Sequence, residues 1–264
     1  MTHAVLSSVD ARGVALVTLN RPERHNAFDG DTLARLQTLL TDLGRDAQVR
    51  VVILTGAGAT FCAGADIEWM RRMAAANAAA NVADARALAE VLATLDTLPK
   101  PTIARVQGSA FGGGVGLIAC CDIALAAADA RLALTEVRVG LVPATISPYV
   151  IAAIGPRLAR RYMLTAEPIS GSAAVAAGLV HEVTESGQLD ERVSMFVDLL
   201  LKAGPEALRE CKELIRAVRD AEGAEQLRRA TAERLARVRM SAEGREGLQA
   251  FLEKRRPAWW RQDS

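Results

Sequence analysis

Two short loops rich in glycine and alanine, each between an apolar segment and a helix-like one, constrain the fold of this chain most. The first loop, residues 63–66, comes after the apolar run 51–54, and the second, residues 108–116, follows the apolar segment 102–106. A strand that passes through a small-residue loop into a helix is the building unit of an α/β fold. Because the unit recurs about every 50 residues, the first half of the chain is predicted to repeat one supersecondary structure.

The same two loops indicate a kind of chemistry. A helix start presents backbone N–H groups without partners in the helix, together with the positive end of the helix dipole. Two helix starts that meet at one point hold the oxygen of a carbonyl group as that oxygen gains negative charge. Glycine and alanine suit the task because they leave the amides accessible. The loops therefore favour a reaction on a carbonyl compound.

The remaining segments predict a mixed α/β domain followed by helices. Val5–Val9 and Val14–Leu19 flank a turn and are expected to form a hairpin. Asp29 or Asp31 can cap a helix whose apolar face consists of leucines at helical spacing, namely Leu33, Leu36, Leu39, Leu40 and Leu43. Further strands are expected over 51–54, 102–106 and 179–183, and helices after Gly64, over 82–97 and over 114–121.

From residue 146 onward, nearly every segment has a helical pattern, with breaks at glycine and Gly-Pro positions. We therefore expect a core domain over residues 1–204 and a helical C-terminal region over residues 205–264, without a flexible linker between them.

Composition excludes several classes of protein. The 264 residues carry a formal net charge of +1, so there is no general attraction to nucleic acid or to an anionic membrane. The four cysteines have no metal-binding spacing and there are only three histidines, so we expect no metal site and reduced thiols in a cytoplasmic protein. No apolar run reaches the roughly 20 residues of a membrane span, and the N-terminus has no secretory pattern.

Several nucleotide and hydrolase motifs are missing. The segment 56–61 resembles the start of a dinucleotide fingerprint, but Phe61 stands at the third glycine position. There is no phosphate-binding GxxxxGK[ST] loop and no GxSxG nucleophile elbow. A basic and aromatic segment over 254–261 is interpreted as a helix end that packs on a neighbour or meets a substrate phosphate, because the net charge is near neutral.

One carboxylate, Glu136, lies between apolar neighbours and is the candidate acid–base group. Partial burial would raise its pKa toward the range in which a carboxyl group both takes and gives a proton. Taken alone, a solvated or salt-bridged glutamate is the commoner interpretation of such a residue.

The whole pattern of segments resembles the crotonase (enoyl-CoA hydratase/isomerase) superfamily in order and spacing. The matching segments are 21–27, 63–66, 112–114, 121–123, 136–140, 166–169, 177–180 and 251–255. The resemblance covers essentially the entire chain. It implies a crotonase spiral of repeated ββα units, with a helical C-terminal region that builds a trimer, often doubled to a hexamer.

The resemblance also implies roles for individual residues. The backbone N–H groups of Ala65 and Gly113 match the oxyanion hole that holds the thioester carbonyl. Glu136 matches a catalytic glutamate. The residues expected to bind the substrate and its coenzyme A are Arg24, Ala27, Ala63, Ala65, Asp66, Ile67, Gly112, Gly113 and Lys254. Coenzyme A is part of the substrate, so no separate cofactor is expected.

One position departs from the two-glutamate hydratases, because Glu136 matches their second catalytic glutamate while Gly116 stands where those enzymes carry the other. We expect Gly116 to make room beside the reacting carbons for a methyl branch or for a distal carboxylate. The segments 112–117, 136–138 and 141–150 resemble a bacterial subgroup assigned as 3-methylglutaconyl-CoA hydratases. This subgroup implies hydration of 3-methylglutaconyl-CoA to 3-hydroxy-3-methylglutaryl-CoA, a lyase reaction of leucine degradation.

Alternative functions stay open at this point. A single glutamate also suits an enoyl-CoA isomerase, which moves a proton between two carbons, and a general hydratase of fatty acid metabolism is a further alternative. A non-catalytic or RNA-binding member of the family is a different class, against which the near-neutral charge argues.

Overall fold

The structure is a computed structural model that describes residues 3–221 and 223–260. Within these ranges the strands are β1 Val5–Val9, β2 Val14–Leu19, β3 Val51–Gly56, β4 Thr60–Cys62, β5 Thr102–Val106, β6 Ser109–Phe111, β7 Ile123–Ala127, β8 Leu132–Ala133 and β9 Glu182–Thr184. The helices are α1 Gly30–Arg45, α2 Ile67–Ala74, α3 Ala78–Asp96, α4 Gly113–Ala119, α5 Ser147–Thr165, α6 Gly171–Ala177, α7 Leu189–Lys202, α8 Pro205–Arg219, α9 Ala224–Met240 and α10 Ala242–Leu252.

A large sheet forms the centre, with six strands of the described residues in the order β1-β2-β3-β5-β7-β9. β1 and β2 make the expected antiparallel hairpin, and the remaining neighbours pair in parallel. Every residue of β3 is buried, as is typical of a parallel strand covered on both faces. The mixed α/β architecture predicted from the sequence is confirmed.

A second, smaller sheet consists of β4, β6 and β8, which pair in parallel. These strands were not predicted from the sequence. β4 and β6 have three residues each and β8 has two, which is too short to show an alternating pattern. This sheet matters for function, because the first glycine- and alanine-rich loop follows β4 and the second contains β6.

The helices of the first half follow the predicted pattern. Asp29 caps α1 by accepting a hydrogen bond from the Thr32 N–H, and the leucine face of α1 is buried. The helix expected over 82–97 is α3, Ala78–Asp96. The strand expected over 179–183 was misplaced: Leu179 and Val180 are buried residues of the turn after α6, and the strand is β9.

The C-terminal helices α8, α9 and α10 pack on one another and leave much apolar surface exposed. No residue of α9 within the described part of the chain is buried. Glu210 of α8 joins the two longer helices, because it accepts hydrogen bonds from Arg234 and Arg237 of α9. The Arg237 hydrogen bond and the neighbouring charges of Arg209 and Arg234 outweigh burial and lower the pKa of Glu210 to about 2.

Composition led us to expect reduced cysteines and no membrane span. Cys62, Cys120 and Cys121 are buried, Cys211 is exposed, and none of the four is bridged. Among the described residues, no helix combines the length and apolarity that crossing a membrane requires.

Candidate active site

The small sheet brings three chemical segments to one place. β4 leads into the loop that holds Ala65, β6 into the loop before Gly113, and β8 into the segment that ends at Glu136. Because β4, β6 and β8 are parallel, their carboxyl ends lie at the same edge. Ligands of parallel sheets bind at this edge. The residues predicted to do the chemistry are thus neighbours in space although they are far apart in the sequence.

The first backbone donor is the N–H of Ala65. The backbone of Phe28 pairs with the residues before and after Ala65. Its N–H donates to the Gly64 carbonyl at 2.8 Å and its carbonyl accepts from the Asp66 N–H at 2.9 Å. Since successive amides of an extended chain point in opposite directions, the N–H of Ala65 points away from Phe28. It makes no hydrogen bond to another described residue of the protein.

The second backbone donor is the N–H of Gly113, the first residue of α4. It has no partner among the described residues, as expected for a helix N-terminus. The two loops touch, because a carbon atom added to Gly64 would lie 3.7 Å from the Gly113 nitrogen. Two open N–H groups on adjacent loops are the arrangement that stabilises an oxyanion.

Glu136 lies against the start of α4. A β-carbon on Gly112 would approach its Oε1 to 2.9 Å, and Gly112 has a φ of 49°, in the left-handed region. The conformation therefore favours glycine at position 112, and a side chain there would displace the Glu136 carboxyl. The carboxyl group consequently lies beside the amide of the next residue, Gly113.

The environment of the Glu136 carboxyl suits proton transfer. Burial raises its pKa, and its own backbone N–H only partly offsets that effect. Its Oε2 is buried and has no hydrogen-bond partner in the described chain. Buried polar atoms are normally paired, so an unpaired carboxylate oxygen marks a place where a substrate or a water binds.

A cavity of about 220 Å³ contains these groups. It is apolar apart from Glu136, Thr135 and Thr145 and the backbone of the two loops. Its lining consists of Phe28, Ala63, Gly64, Ala65, Trp69, Met70, Leu88, Gly112, Gly113, Thr135, Glu136, Val139, Leu141, Val142, Pro143, Thr145 and Ile146. We refer to it as the acyl cavity.

A second cavity, of about 560 Å³, adjoins the first. Its lining consists of Glu23, Arg24, His25, Ala27, Ala63, Ala65, Asp66 and Ile67. Ala63 and Ala65 line both cavities, so together they form one elongated site. We refer to the second as the outer cavity, because Ile67 and Arg24 are exposed at its mouth.

Arg21 and Asp66 hold the loop between the two cavities. Asp66, 3% exposed, caps α2 by accepting from the N–H groups of Glu68 and Trp69 and pairs with Arg21 at 2.9 Å. Burial acts to raise the Asp66 pKa, but those N–H groups and the charges of Arg21 and Arg24 outweigh it and hold the pKa below its usual value. The Asp66 side chain therefore supports the loop from within.

One expectation from the sequence needs correction, and another stays untested. Gly116 does not open space for a substrate: a β-carbon there would lie 2.2 Å from Cγ2 of Ile146, so that side chain already fills the space. Gly116 is buried and does not line the acyl cavity. Lys254, expected at the coenzyme A, lines neither cavity of the single chain, so a contact with coenzyme A across a subunit interface stays a prediction.

Sequence reasoning missed the side chains that shape the cavity. Phe28 and Trp69 pack edge to face, with ring centroids 6.1 Å apart, and both line the acyl cavity. Aromatic residues are 4% of the chain and Trp69 follows the first loop by three residues, so Trp69 was an available signal, whereas Phe28 lies far from both loops in the sequence. Ile146 carried no such signal, because an isoleucine before a helix is ordinary.

Within the described ranges, no group of three or more His, Cys, Asp or Glu residues is arranged to hold a metal ion.

Comparisons with known proteins agree with this geometry. A family model for enoyl-CoA hydratase/isomerase matches residues 10–262. A crystal structure of an enoyl-CoA hydratase from Shewanella pealeana has 42% identity and a TM-score of 0.94, covering 97% of this chain and 96% of that one. The structure of AtuE from Pseudomonas aeruginosa has 36% identity and a TM-score of 0.94, covering 98% of this chain and 100% of that one. The 2,3-dehydroadipyl-CoA hydratase of Escherichia coli is 34% identical over 246 residues, which are 92% of this chain and 94% of that protein.

Proposed function

Since this chain belongs to the enoyl-CoA hydratase/isomerase family, we propose that it adds water across the 2,3 double bond of an enoyl-CoA, with Glu136 as the acid–base group. One observation carries the proposal. The Glu136 carboxyl lies on Gly112, directly before the open N–H of Gly113, and keeps one oxygen unpaired. The group that moves protons and a donor that holds the thioester oxygen therefore act on one small volume.

The proposed reaction uses these groups in two steps. The N–H groups of Ala65 and Gly113 hold the thioester oxygen. The Glu136 carboxylate takes a proton from water while the water oxygen bonds to C3 and the electrons of the double bond move to the enolate oxygen. Glu136 then returns a proton to C2 and the thioester carbonyl re-forms. Water is consumed, the carboxylate is regenerated, and the two N–H groups stabilise the enolate between the steps.

The outer cavity is the proposed site of coenzyme A. It is the larger of the two, opens to solvent, and offers the cationic side chain of Arg24 beside the apolar surfaces of Ala27 and Ile67. The scheme needs no metal and no resident cofactor, because coenzyme A arrives as part of the substrate.

The substrate that we propose is 3-methylglutaconyl-CoA, which would give 3-hydroxy-3-methylglutaryl-CoA in leucine degradation. The resemblance to the bacterial 3-methylglutaconyl-CoA hydratases supports it, and one relative is named for dehydroadipyl-CoA, another thioester with a distal carboxylate. Among the described residues, the acyl cavity offers such a carboxylate no cation. The distal carboxylate of the substrate must therefore face the solvent-exposed rim at Val139, Leu141 and Val142, where water hydrates the carboxylate.

The apolar lining supports a second candidate, a branched enoyl-CoA without the carboxylate. 3-Methylcrotonyl-CoA differs from 3-methylglutaconyl-CoA in that group alone and is the matched comparison, and crotonyl-CoA tests the branch. We expect the highest kcat/KM for 3-methylglutaconyl-CoA. A higher kcat/KM for 3-methylcrotonyl-CoA or crotonyl-CoA would refute the proposed substrate. Movement of the double bond in a cis-3-enoyl-CoA without hydration would instead support an isomerase.

Glu136→Gln tests the acid–base role. We expect turnover to fall about 100-fold or more, with thioester binding largely intact because the shape is conserved. Glu167→Gln is the control, since Glu167 is paired with Arg161 outside both cavities. Unimpaired turnover of Glu136→Gln would show that another group does the chemistry.

A further inference from the structure

Ile146 takes the place of the side chain that Gly116 lacks. A β-carbon on Gly116 would lie 2.2 Å from Cγ2 and 2.8 Å from Cβ of Ile146, both far inside van der Waals contact. The next atom, Cδ2 of Leu92, is 3.5 Å away, so Ile146 is the residue that enters the gap. The missing side chain and the isoleucine are thus one packing unit.

This unit lies beside the acid–base group. Gly112 and Gly116 are four residues apart and are joined by the hydrogen bond from the Gly116 N–H to the Gly112 carbonyl at 3.2 Å. This hydrogen bond places the two glycines one helical turn, or about 5.4 Å, apart along the axis of α4. The Glu136 side chain lies against Gly112, and the Ile146 side chain lies against Gly116. The acyl cavity therefore passes from a carboxyl group to an apolar wall within one helical turn.

Ile146 belongs to the buried part of the wall of the acyl cavity. It is 1% exposed, whereas Leu141 and Val142 of the same lining are 53% and 70% exposed. Its backbone is fixed at the start of α5, where its carbonyl accepts from the Val150 N–H at 3.1 Å. An acyl group can extend past the exposed rim into solvent, but it cannot extend past Ile146.

We propose that Ile146, packed on Gly116, sets the size of the acyl group that this site accepts. Truncation of Ile146 leaves a space that position 116 cannot fill, because glycine has no side chain. The enlarged cavity then reaches the surface of α4. This inference rests on the proposed acyl-CoA site, but it makes a prediction about binding that does not depend on the reaction.

Binding of saturated thioesters provides the test, because butyryl-CoA and octanoyl-CoA cannot add water. We expect Ile146→Ala to shift the ratio of the two dissociation constants, measured by calorimetry, by about tenfold or more in favour of octanoyl-CoA. Ile146→Val removes one carbon atom, so it should shift the ratio in the same direction by less. The smaller change also keeps the test valid if Ile146→Ala does not fold.

Ile154→Ala is the matched control. It is the same substitution within α5, the helix that Ile146 precedes, at a residue that is 5% exposed and lines neither cavity. It should destabilise the fold and leave the ratio unchanged. An unchanged ratio in folded Ile146→Val and Ile146→Ala, an equal shift in Ile154→Ala, or no binding of either thioester by the natural chain would overturn the inference. Normal binding without hydration would overturn the proposed activity alone.

Discussion

At the scale of single residues, the glycines at the start of α4 are sites of contact with neighbouring segments. At each of them a β-carbon would collide with a different neighbour, so every missing side chain admits one particular group. The pairs are Gly112 with Glu136, Gly113 with Phe28, Gly114 with Cys62, and Gly116 with Ile146. The glycines at the start of α4 are therefore explained by the packing of these neighbours as well as by the open backbone amides.

A sequence shows that a side chain is missing but not what takes its place. Gly116 was interpreted as empty space beside the reacting carbons, and that interpretation was wrong because Ile146 fills it. The roles proposed for Ala65, Gly113 and Glu136 depend on backbone amides and on one carboxylate, which sequence motifs do indicate. The filling of a cavity depends on long-range packing, which no local pattern contains.

The carboxyl group of Glu136 should reduce the stability of the fold at neutral pH. Burial raises its pKa above that of the unfolded chain, so folding favours the protonated form. The stability that protonation provides is present at low pH and is lost as the pH rises through the folded-state pKa. Glu136→Gln stays neutral and should raise the Tm by a few degrees at pH 7, with the gain shrinking toward pH 4.

Glu167→Gln controls for the loss of a negative charge. Arg161 lowers the pKa of Glu167, so this exchange should leave the Tm the same or slightly lower at pH 7. A Glu136→Gln protein with an unchanged or lower Tm at pH 7, measured by calorimetry from pH 4 to pH 8, would contradict the argument.

At the scale of elements, sequence patterns predicted the long strands and helices and missed the small sheet. β2, β3 and α1 are long enough for their apolar residues to show a period. β4, β6 and β8 are not, and they form only because distant segments pair in parallel. The existence of a site was therefore predictable from its loops, whereas the sheet that assembles it was not.

Arg21 connects the starts of two helices and the outer cavity. Its guanidinium pairs with Asp29, the cap of α1, at 3.1 Å and with Asp66, the cap of α2, at 2.9 Å. It also donates to the Ala27 carbonyl at 2.7 Å. Arg21→Met leaves the exposed Arg24 as the one cationic partner of the buried Asp66 among the described residues, and should lower the free energy of unfolding by on the order of 3 kcal/mol. Urea denaturation measures this, and kcat/KM should fall because Ala65 adjoins Asp66.

Arg12→Met gives the comparison for an exposed pair. Arg12 bridges Asp10 and Asp198, as Arg21 bridges two aspartates, but its side chain is 40% exposed. Its loss should lower the free energy of unfolding by less than about 1 kcal/mol. Equal losses in the two variants would mean that Arg21 acts as an ordinary surface charge.

At the scale of the whole molecule, the helical region 205–264 is proposed to build a trimer, with a hexamer of two trimers as the larger assembly. Residues 261–264 of this region lie outside the described ranges. The exposed apolar side chains of its helices are Ile215, Val218, Leu235, Met240, Leu248, Phe251 and Leu252. A helix such as α9, without a buried residue in the described chain, gains its stability from packing against other helices.

Light scattering at micromolar concentration should therefore give the mass of a trimer or a hexamer, and the Tm should rise with protein concentration. Phe251→Asp, at a side chain that is 78% exposed in the single chain, should shift the mass toward the monomer. Arg239→Asp is the control, because it changes the charge at the end of α9 without removing apolar surface, and it is expected to have the smaller effect. A monomeric mass at micromolar concentration would refute the proposed trimer and hexamer.

Ala63 and Ala65 form part of the wall of both cavities. Whatever fills the outer cavity contacts the same short segment that carries the Ala65 N–H, the proposed donor to the thioester oxygen. Interaction energy from a part of the ligand that never reacts is thereby used to hold a donor in place at the reacting carbons. On the proposed mechanism, the distant end of the substrate therefore contributes to kcat as well as to KM, because its binding orients a group at the reacting carbons.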